Sequence, residues 1–348
     1  MMEDRLLGWL EALMARPSPT GVEGDIQRFL AGVLREMGFE VLLDPVLPGK
    51  PNLYALRGKP RYVVATHVDT VPVWGHHAGA GLAVRDGVAY GRGVVDPKGQ
   101  IAALLAALEG ASVPAFVALF VDEEKGGKGS EAFRNPWRGR VEGALVLEPT
   151  GFQICNFQLG SVEFEAEVSG REAHGATYEE DRNAVLRCID LIRDLRGLSF
   201  LGGWGITIGK IEGGKDCQVL PDSCKFTADI PIPWGVRPED ALDEVLHILD
   251  RYGARYTVLS VDGPVHIPPE APIVRALLGA VADVLGKPPP LAVMSAWTDA
   301  ANLSKKGIPS AVFGAGPLAL SHTKAERIAL FDLSALSEIL CSFLERTA

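Results

Sequence analysis

The residues with which this chain could do chemistry are His67-Val68-Asp69, Asp96, Asp122-Glu123-Glu124, Glu148 and His322. Each follows an apolar run or a glycine-rich turn. Residues 62–66 lead into His67, residues 116–121 end in Asp122-Glu123-Glu124, and residues 144–147 end in Glu148. Residues 311–313 pass through Gly314-Ala315-Gly316 toward His322, while Gly91-Arg92-Gly93-Val94-Val95-Asp96 precedes a helical pattern. In an open α/β sheet the active site lies outside the carboxyl ends of the strands, so these imidazoles and carboxylates would converge on one rim.

Such hard and borderline ligands suit two divalent metals, Zn2+ or Co2+, with one carboxylate bridging and a water between them. A bridged pair sits roughly 3.5–4 Å apart and brings the pKa of its water toward ~7. The two-residue period of an extended chain puts His67 and Asp69 on one side, so that Asp69 can hold a ring nitrogen. Glu123, beside a candidate ligand, is free to take the water's proton. Any one of these residues alone would be read as an ordinary core or surface group; their common placement after strands carries the argument.

The elements that must position them can be read from periodicity. Ile26, Phe29, Leu30, Val33, Leu34 and Met37 fall at helical spacing, residues 41–43, 62–66, 116–121 and 144–147 read as short strands, and residues 98–108 as a helix. Near-continuous apolar strands alternating with helices predict a doubly wound, mostly parallel α/β sheet. From residue 160 the texture changes, because Val162, Phe164, Ala166 and Val168 alternate with Glu163, Glu165 and Glu167, the pattern of a half-exposed strand. A helix near 183–195, strands near 205–211 and 224–230, a helix near 238–249 and a strand near 255–261 complete a ferredoxin-like β-α-β-β-α-β unit. Helical periodicity returns at 273–285, with a strand at 311–313 and a closing helix at 333–344, so a domain spanning 158–264 is expected to be inserted into one formed by 1–157 and 265–348.

Composition agrees with an ordinary globular chain: 348 residues, 47% hydrophobic and 22% charged, with a net charge of -10 and no basic run for nucleic acid or an anionic membrane. No apolar stretch is long enough to span a bilayer and residues 1–5 lack a signal pattern, which predicts a cytoplasmic protein. Cys155, Cys188, Cys217, Cys224 and Cys341 contain no C-x-x-C pair and are expected to be reduced.

In His67-Val68-Asp69-Thr70-Val71-Pro72, Gly91 to Gly99 and Glu123-Glu124 the chain resembles a family of zinc-dependent amidohydrolases and exopeptidases. That family includes aminoacylase, acetylornithine deacetylase, succinyl-diaminopimelate desuccinylase and glutamate carboxypeptidase. The resemblance implies that Asp96 bridges two metals, that His67 and Glu148 complete one site, and that Glu124 and His322 complete the other. It further implies that Asp69 orients His67, that Glu123 is the general base, and that Glu148, where aminopeptidases commonly carry Asp, favours a deacylase or carboxypeptidase. The inserted domain resembles the family's lid and dimerisation domain. Its turn Gly170-Arg171-Glu172-Ala173-His174-Gly175 makes His174 the candidate oxyanion donor, acting in trans in a homodimer or dimer of dimers.

The chain departs from the family where Gln218 replaces a usual asparagine and where Asp229-Ile230-Pro231 replaces Asp-Ile-Arg, which removes the arginine that clamps a substrate carboxylate. Arg237 and Lys215 are candidate replacements. Pro97 follows the bridging Asp96, and because proline lowers the preference for trans to about 0.5–1 kcal/mol, a cis bond is expected there. His76 and His77 read as a solvated loop, His247 and His266 as structural, and Thr298 and Asp299 as lining the pocket or, for Asp299, capping the next helix.

Within the family the chain looks nearest to enzymes of lysine and arginine biosynthesis that release lysine or ornithine from an amino-protected form. In some the protecting group is acetyl, in others the C-terminal γ-glutamyl of an acidic amino-group carrier protein. The alternatives are a carboxypeptidase or deacylase on other small N-acyl amino acids or dipeptides, and a binding homologue without catalysis.

Overall fold

The computed structural model describes residues 2–79, 81–137, 139, 141–177 and 183–348. It divides into two compact units, Met1–Phe157 with Ile267–Met294 and Thr298–Ala348, and Gln158–His266 with Ser295–Trp297.

In chain order the principal elements of the first stretch are α1 (Met2–Met14), α2 (Gly24–Glu36), β1 (Glu40–Leu47), β2 (Lys50–Arg57), β3 (Tyr62–His67), α3 (Lys98–Gly110), β4 (Ala115–Phe120), β5 (Gly143–Leu147) and β6 (Ile154–Gln158). The second unit contributes β7 (Gly160–Ser169), α4 (Ala184–Arg196), β8 (Thr207–Gly213), β9 (Ser223–Ile232), α5 (Pro238–Arg251) and β10 (Arg255–Asp262). The chain then returns through α6 (Pro272–Leu285), α7 (Ala300–Lys305), β11 (Ser310–Phe313) and α8 (Leu330–Thr347).

The large sheet runs β1-β2-β4-β3-β5-β11-β6. Its centre, β4 with β3, β3 with β5 and β5 with β11, is parallel, whereas β1, β2 and β6 pair antiparallel at the two sides. Every residue of β3, β4, β5 and β11 is buried, which is why these strands read as unbroken apolar runs. Helix α3 is buried from Lys98 through Leu108 and packs with α1 and α8, while α2 lies on β1 and β2 through Ile26, Leu30 and Leu34.

Of the hairpin β1–β2 the pattern shows only residues 41–43 as a strand, because Pro45, Pro51 and Asn52 interrupt the alternation that follows. Asn52 is nonetheless fully buried, with its amide donating to the Tyr54 hydroxyl and the Gly129 carbonyl. Helix α1 also went unread, and α8 begins three residues before the expected start, since its first turn carries the exposed Phe331 instead of a core residue.

In the second unit an antiparallel sheet of order β8-β9-β7-β10 has α4 and α5 against it. Val162, Phe164, Ala166 and Val168 of β7 are buried with Leu191, Leu195, Phe226, Val245 and Leu249, while the intervening glutamates are not. Asn183 caps α4 by accepting the N–H groups of Val185 and Leu186.

Candidate metal centre

Four parallel strands set the rim. β3 delivers His67 as its last residue and Asp69 just beyond it; β5 delivers Glu148, whose N–H donates to the Phe313 carbonyl of β11 at 3.2 Å. After β4 the backbone turns sharply at Asp122, which has a left-handed φ of 66° and whose carbonyl accepts the N–H groups of Gly126 and Gly127. That turn aims Glu123 and Glu124 across the ends of the strands. His322 also has a left-handed φ, 63°. Such backbone costs of order 1–3 kcal/mol for a residue other than glycine and recurs where a side chain must be aimed.

Asp96 arrives by a different route, in the turn between Gly91 and α3, and the Asp96–Pro97 peptide bond is cis, as expected. The turn is held closely: a Cβ on Gly99 would stand 2.1 Å from the Val94 carbonyl oxygen, so only glycine lets α3 start there. Gln100, fully buried in the same helix, donates to the carbonyls of Val95 and Ala315 at 2.8 Å each and accepts the Ala315 N–H. It thereby joins the Asp96 turn to the loop that leads to His322.

The expected ligands converge. His67 Nε2 lies 3.0 Å from Asp96 Oδ1 and 3.8 Å from Glu148 Oε1. His322 Nε2 lies 3.0 Å from Glu124 Oε2 and 3.5 Å from Asp96 Oδ2. One ligand atom from each of His67, Asp96 and Glu124 falls within a 4.8 Å group. Asp96 thus turns one oxygen to each imidazole, the disposition of a bridging carboxylate. Asp69 stands behind His67 with Oδ1 3.5 Å from Nδ1, and it is fixed by the N–H groups of Glu123 and Glu124 and by the Thr20 hydroxyl at 2.8 Å.

The electrostatics of the cluster ask for positive charge. Burial opposes charging His67, yet Glu123, Asp69, Asp96 and Glu148 hold its pKa well above the usual imidazole value. His322 behaves likewise: burial works against its charge, and Asp96 and Glu124 push it up to about 10. Burial first, then neighbouring carboxylates, lift Glu123 and Glu148 well above the ordinary carboxyl range and raise Glu124, while contacts with both imidazoles keep Asp96 low against its own desolvation. The imidazoles attract protons and the carboxyls resist losing them because several anions share one buried space, and divalent cations would relieve both tendencies. The donor set of two imidazoles and three carboxylates fits Zn2+ or Co2+, and buried Glu148 Oε1 has no hydrogen-bond partner, as befits an atom reserved for a metal.

Residues 63–346 match the family described as peptidase family M20/M25/M40. The chain belongs to that family. It is accordingly a metal-dependent hydrolase of amide bonds. Among curated relatives, acetylornithine deacetylase of Myxococcus xanthus is 29% identical over 86% of this chain and 84% of its own length. Succinyl-diaminopimelate desuccinylase of Alkalilimnicola ehrlichii is 28% identical over 96% of this chain and 97% of its own. In fold the chain is similar to a tripeptidase from Staphylococcus aureus, with a TM-score of 0.82 at 22% identity over 99% of this chain and 98% of that one. It is also similar to an M20 family metallo-carboxypeptidase from Sulfolobus solfataricus, with a TM-score of 0.81 at 16% identity over 98% and 99%.

Of the site residues expected from the family resemblance, His174 alone lies in the second unit. It is exposed on a two-residue strand, Ala173–His174, paired with Val219–Leu220, and its Nδ1 accepts the Ala176 N–H. Gln218, where the family usually has asparagine, contributes its main-chain carbonyl to this turn, accepting the Gly175 N–H at 2.6 Å. Both candidate carboxylate clamps are already engaged on the surface: Lys215 pairs with Glu172 at 3.2 Å, and Arg237 with Asp240 at 2.5 Å. His77 is exposed as expected, but His76 is buried, against its reading as a solvated loop residue, because its ring spans the Ala78 N–H and the Glu326 carbonyl.

Asp299 does not cap α7 with its side chain; its carboxyl is fully buried, and burial pushes it up to about 7. Thr298 accepts the Ala300 N–H instead. Three residues of the site went unread in the sequence: Thr20, Arg92 and Glu326. The acidic residue four places after His322 was the one available signal for Glu326.

Proposed function

We propose that the protein holds two divalent cations, Zn2+ or Co2+, and releases free L-lysine or L-ornithine from an amino-protected form, the γ-glutamyl conjugate of an acidic amino-group carrier protein. The observation that carries the two-cation reading is Asp96, whose oxygens face His67 and His322 separately. His67, Asp96 and Glu148 would hold one cation, and Asp96, Glu124 and His322 the other. Bound there, the cations would supply Lewis-acid activation of water and of the scissile carbonyl.

The chain's own groups do the rest. Asp69, with Oδ1 3.5 Å behind His67 Nδ1, sets the ring so that Nε2 faces the cluster. Glu123, with its affinity for a proton raised by burial, takes the proton of the attacking water and passes it to the leaving nitrogen. His174 donates to the developing oxyanion in the site of a partner subunit. An acyl-blocked nitrogen is supported by Glu148 and by the names of the deacetylase and desuccinylase relatives, and ornithine by the name of the first of them. Among the described residues no helix is long and apolar enough to cross a membrane.

A second reading, carboxypeptidase or deacylase activity on other small N-acyl amino acids or dipeptides, draws on the probable carboxypeptidase of Aspergillus clavatus, 27% identical over 67% of this chain. The two separate in an assay of free lysine and ornithine released, with Zn2+ or Co2+ added, from matched acetyl, γ-glutamyl and carrier-protein conjugates. Preference for carrier conjugates is the expected result. Activity confined to acetylated or unrelated substrates would replace the first reading with the second.

A further inference from the structure

Glu326 is fully buried, outside the ligand set, and bonded more extensively than any ordinary structural carboxylate needs to be. Its Oε1 accepts three main-chain N–H groups, those of Gly93 at 3.0 Å, Val95 at 3.0 Å and Asp96 at 3.3 Å. Its Oε2 accepts from Arg92 Nη1 at 2.5 Å. Arg92 in turn donates from Nε to the Pro72 carbonyl at 3.1 Å and from Nη2 to the Thr323 carbonyl at 3.2 Å. The Glu326 main-chain carbonyl accepts from His76 Nε2 at 3.1 Å; the Ala78 N–H on Nδ1 fixes that tautomer.

The Arg92–Glu326 pair therefore ties together the segment that follows His67 and Asp69, the turn that carries Asp96, and the loop that carries His322. All lie in the same compact unit. Aspartate side chains commonly capture nearby main-chain N–H groups, which would turn the carboxylate of Asp96 back onto its own turn. Glu326 occupies those N–H groups, including that of Asp96 itself, and so leaves both Asp96 oxygens for His67 and His322. Its negative charge is matched by Arg92, so the knot holds the bridge in place without adding net charge beside the ligands.

The geometry points to Glu326 as the positioning residue for the bridging carboxylate: through the N–H groups of residues 93, 95 and 96 and through Arg92, it sets how Asp96 and His322 are placed for two cations. This rests on the two-cation reading above. It predicts a defect in metal affinity that is separable from a defect in folding. Glu326→Gln alone would strand the buried Arg92 guanidinium and destabilise the fold, so the informative variant is Glu326→Gln combined with Arg92→Met, which removes the stranded charge and leaves the three N–H groups only a neutral amide oxygen, a weaker acceptor than the carboxylate.

The test is calorimetric titration of chelator-treated protein with Co2+ and with Zn2+, alongside melting of the metal-free protein and amide hydrogen exchange at Val95 and Asp96. The double variant is expected to melt close to wild type when metal-free, to bind the second equivalent 10–100-fold more weakly, the range typical of groups that orient metal ligands, and to exchange those amides faster. Glu326→Asp, which keeps the charge beside Arg92 but retracts it by one methylene, provides a second variant with an intact ion pair and is expected to lose affinity in the same direction. Wild-type affinity for both equivalents, within about twofold, in a folded double variant or in Glu326→Asp would overturn the inference while leaving the two-cation reading standing. A wild-type protein that binds no cation would overturn both.

Discussion

Burial and the carboxylates of Glu148, Glu124 and Asp299 hold the Glu123 carboxyl well above its ordinary range, with His67 pulling it partway back. A group whose hold on a proton is raised in this way is suited to accept and return one, whereas its neighbour Glu124 faces His322. Replacing Glu123 with Gln is expected to lower kcat by about 10²–10⁴-fold and leave metal content unchanged; a fully active variant would remove Glu123 from the base role. The raised affinity of both imidazoles for protons has a second consequence. Cation binding must displace those protons, so affinity for Zn2+ or Co2+ should rise from pH 6 to pH 8 with proton release measurable in buffers of different ionisation enthalpy. At this scale the imidazoles and carboxylates that the structure brings together were legible because each follows a strand or a glycine turn. Thr20, Arg92 and Glu326 were not: Thr20 acts on the Asp69 carboxylate from a distant segment, Arg92 and Glu326 act largely through main-chain groups, and none has a periodic signal of its own.

The elements show which patterns carry information and which hide it. Strands β3, β4, β5 and β11, buried on both faces, announce themselves as apolar runs; β2, equally central in its middle, does not, because Asn52 satisfies itself internally instead of being apolar. In the second unit the alternation of β7 was readable residue by residue. Its neighbour holds a penalty that no pattern would reveal: Asp229 of β9 lies directly opposite Glu163 of β7, and Asp229 Oδ1 is buried without a partner. Burial, with Glu163 beside it, pushes Asp229 up to about 6 from an ordinary value of 3.8. A carboxyl raised in the fold favours the fold while it is protonated, and that contribution is lost as the pH climbs from about 4 through about 6. Asp229→Asn should therefore stabilise the protein by about 1–2 kcal/mol at pH 8 and by little at pH 4, read from urea midpoints at the two pH values. Equal effects at both would place the cost elsewhere.

Across the whole molecule, an α/β unit with a parallel centre gathers the site from segments more than two hundred residues apart, and the second unit is spliced between β6 and α6. The two-unit organisation could be read because the strand pattern shifts from continuous to alternating near residue 160; the return of Ser295–Trp297 to the second unit gave no such signal. The proposal that His174 serves a partner's site makes a claim about assembly. Mixing Glu123→Gln protein with His174→Ala protein should restore about a quarter of wild-type activity, because each mixed dimer then contains one site with both groups intact. Mixtures no more active than their components would confine His174 to its own chain or remove it from catalysis.

The central claim is that Asp96 joins two cation sites. Titration of the metal-free protein with Co2+, followed by calorimetry and visible absorption, addresses it directly when wild type is set beside Asp96→Ala. Two equivalents bound per wild-type chain, with both weakened together in the variant, is the result this account predicts. One equivalent in wild type, or loss of a single site in the variant, would contradict it.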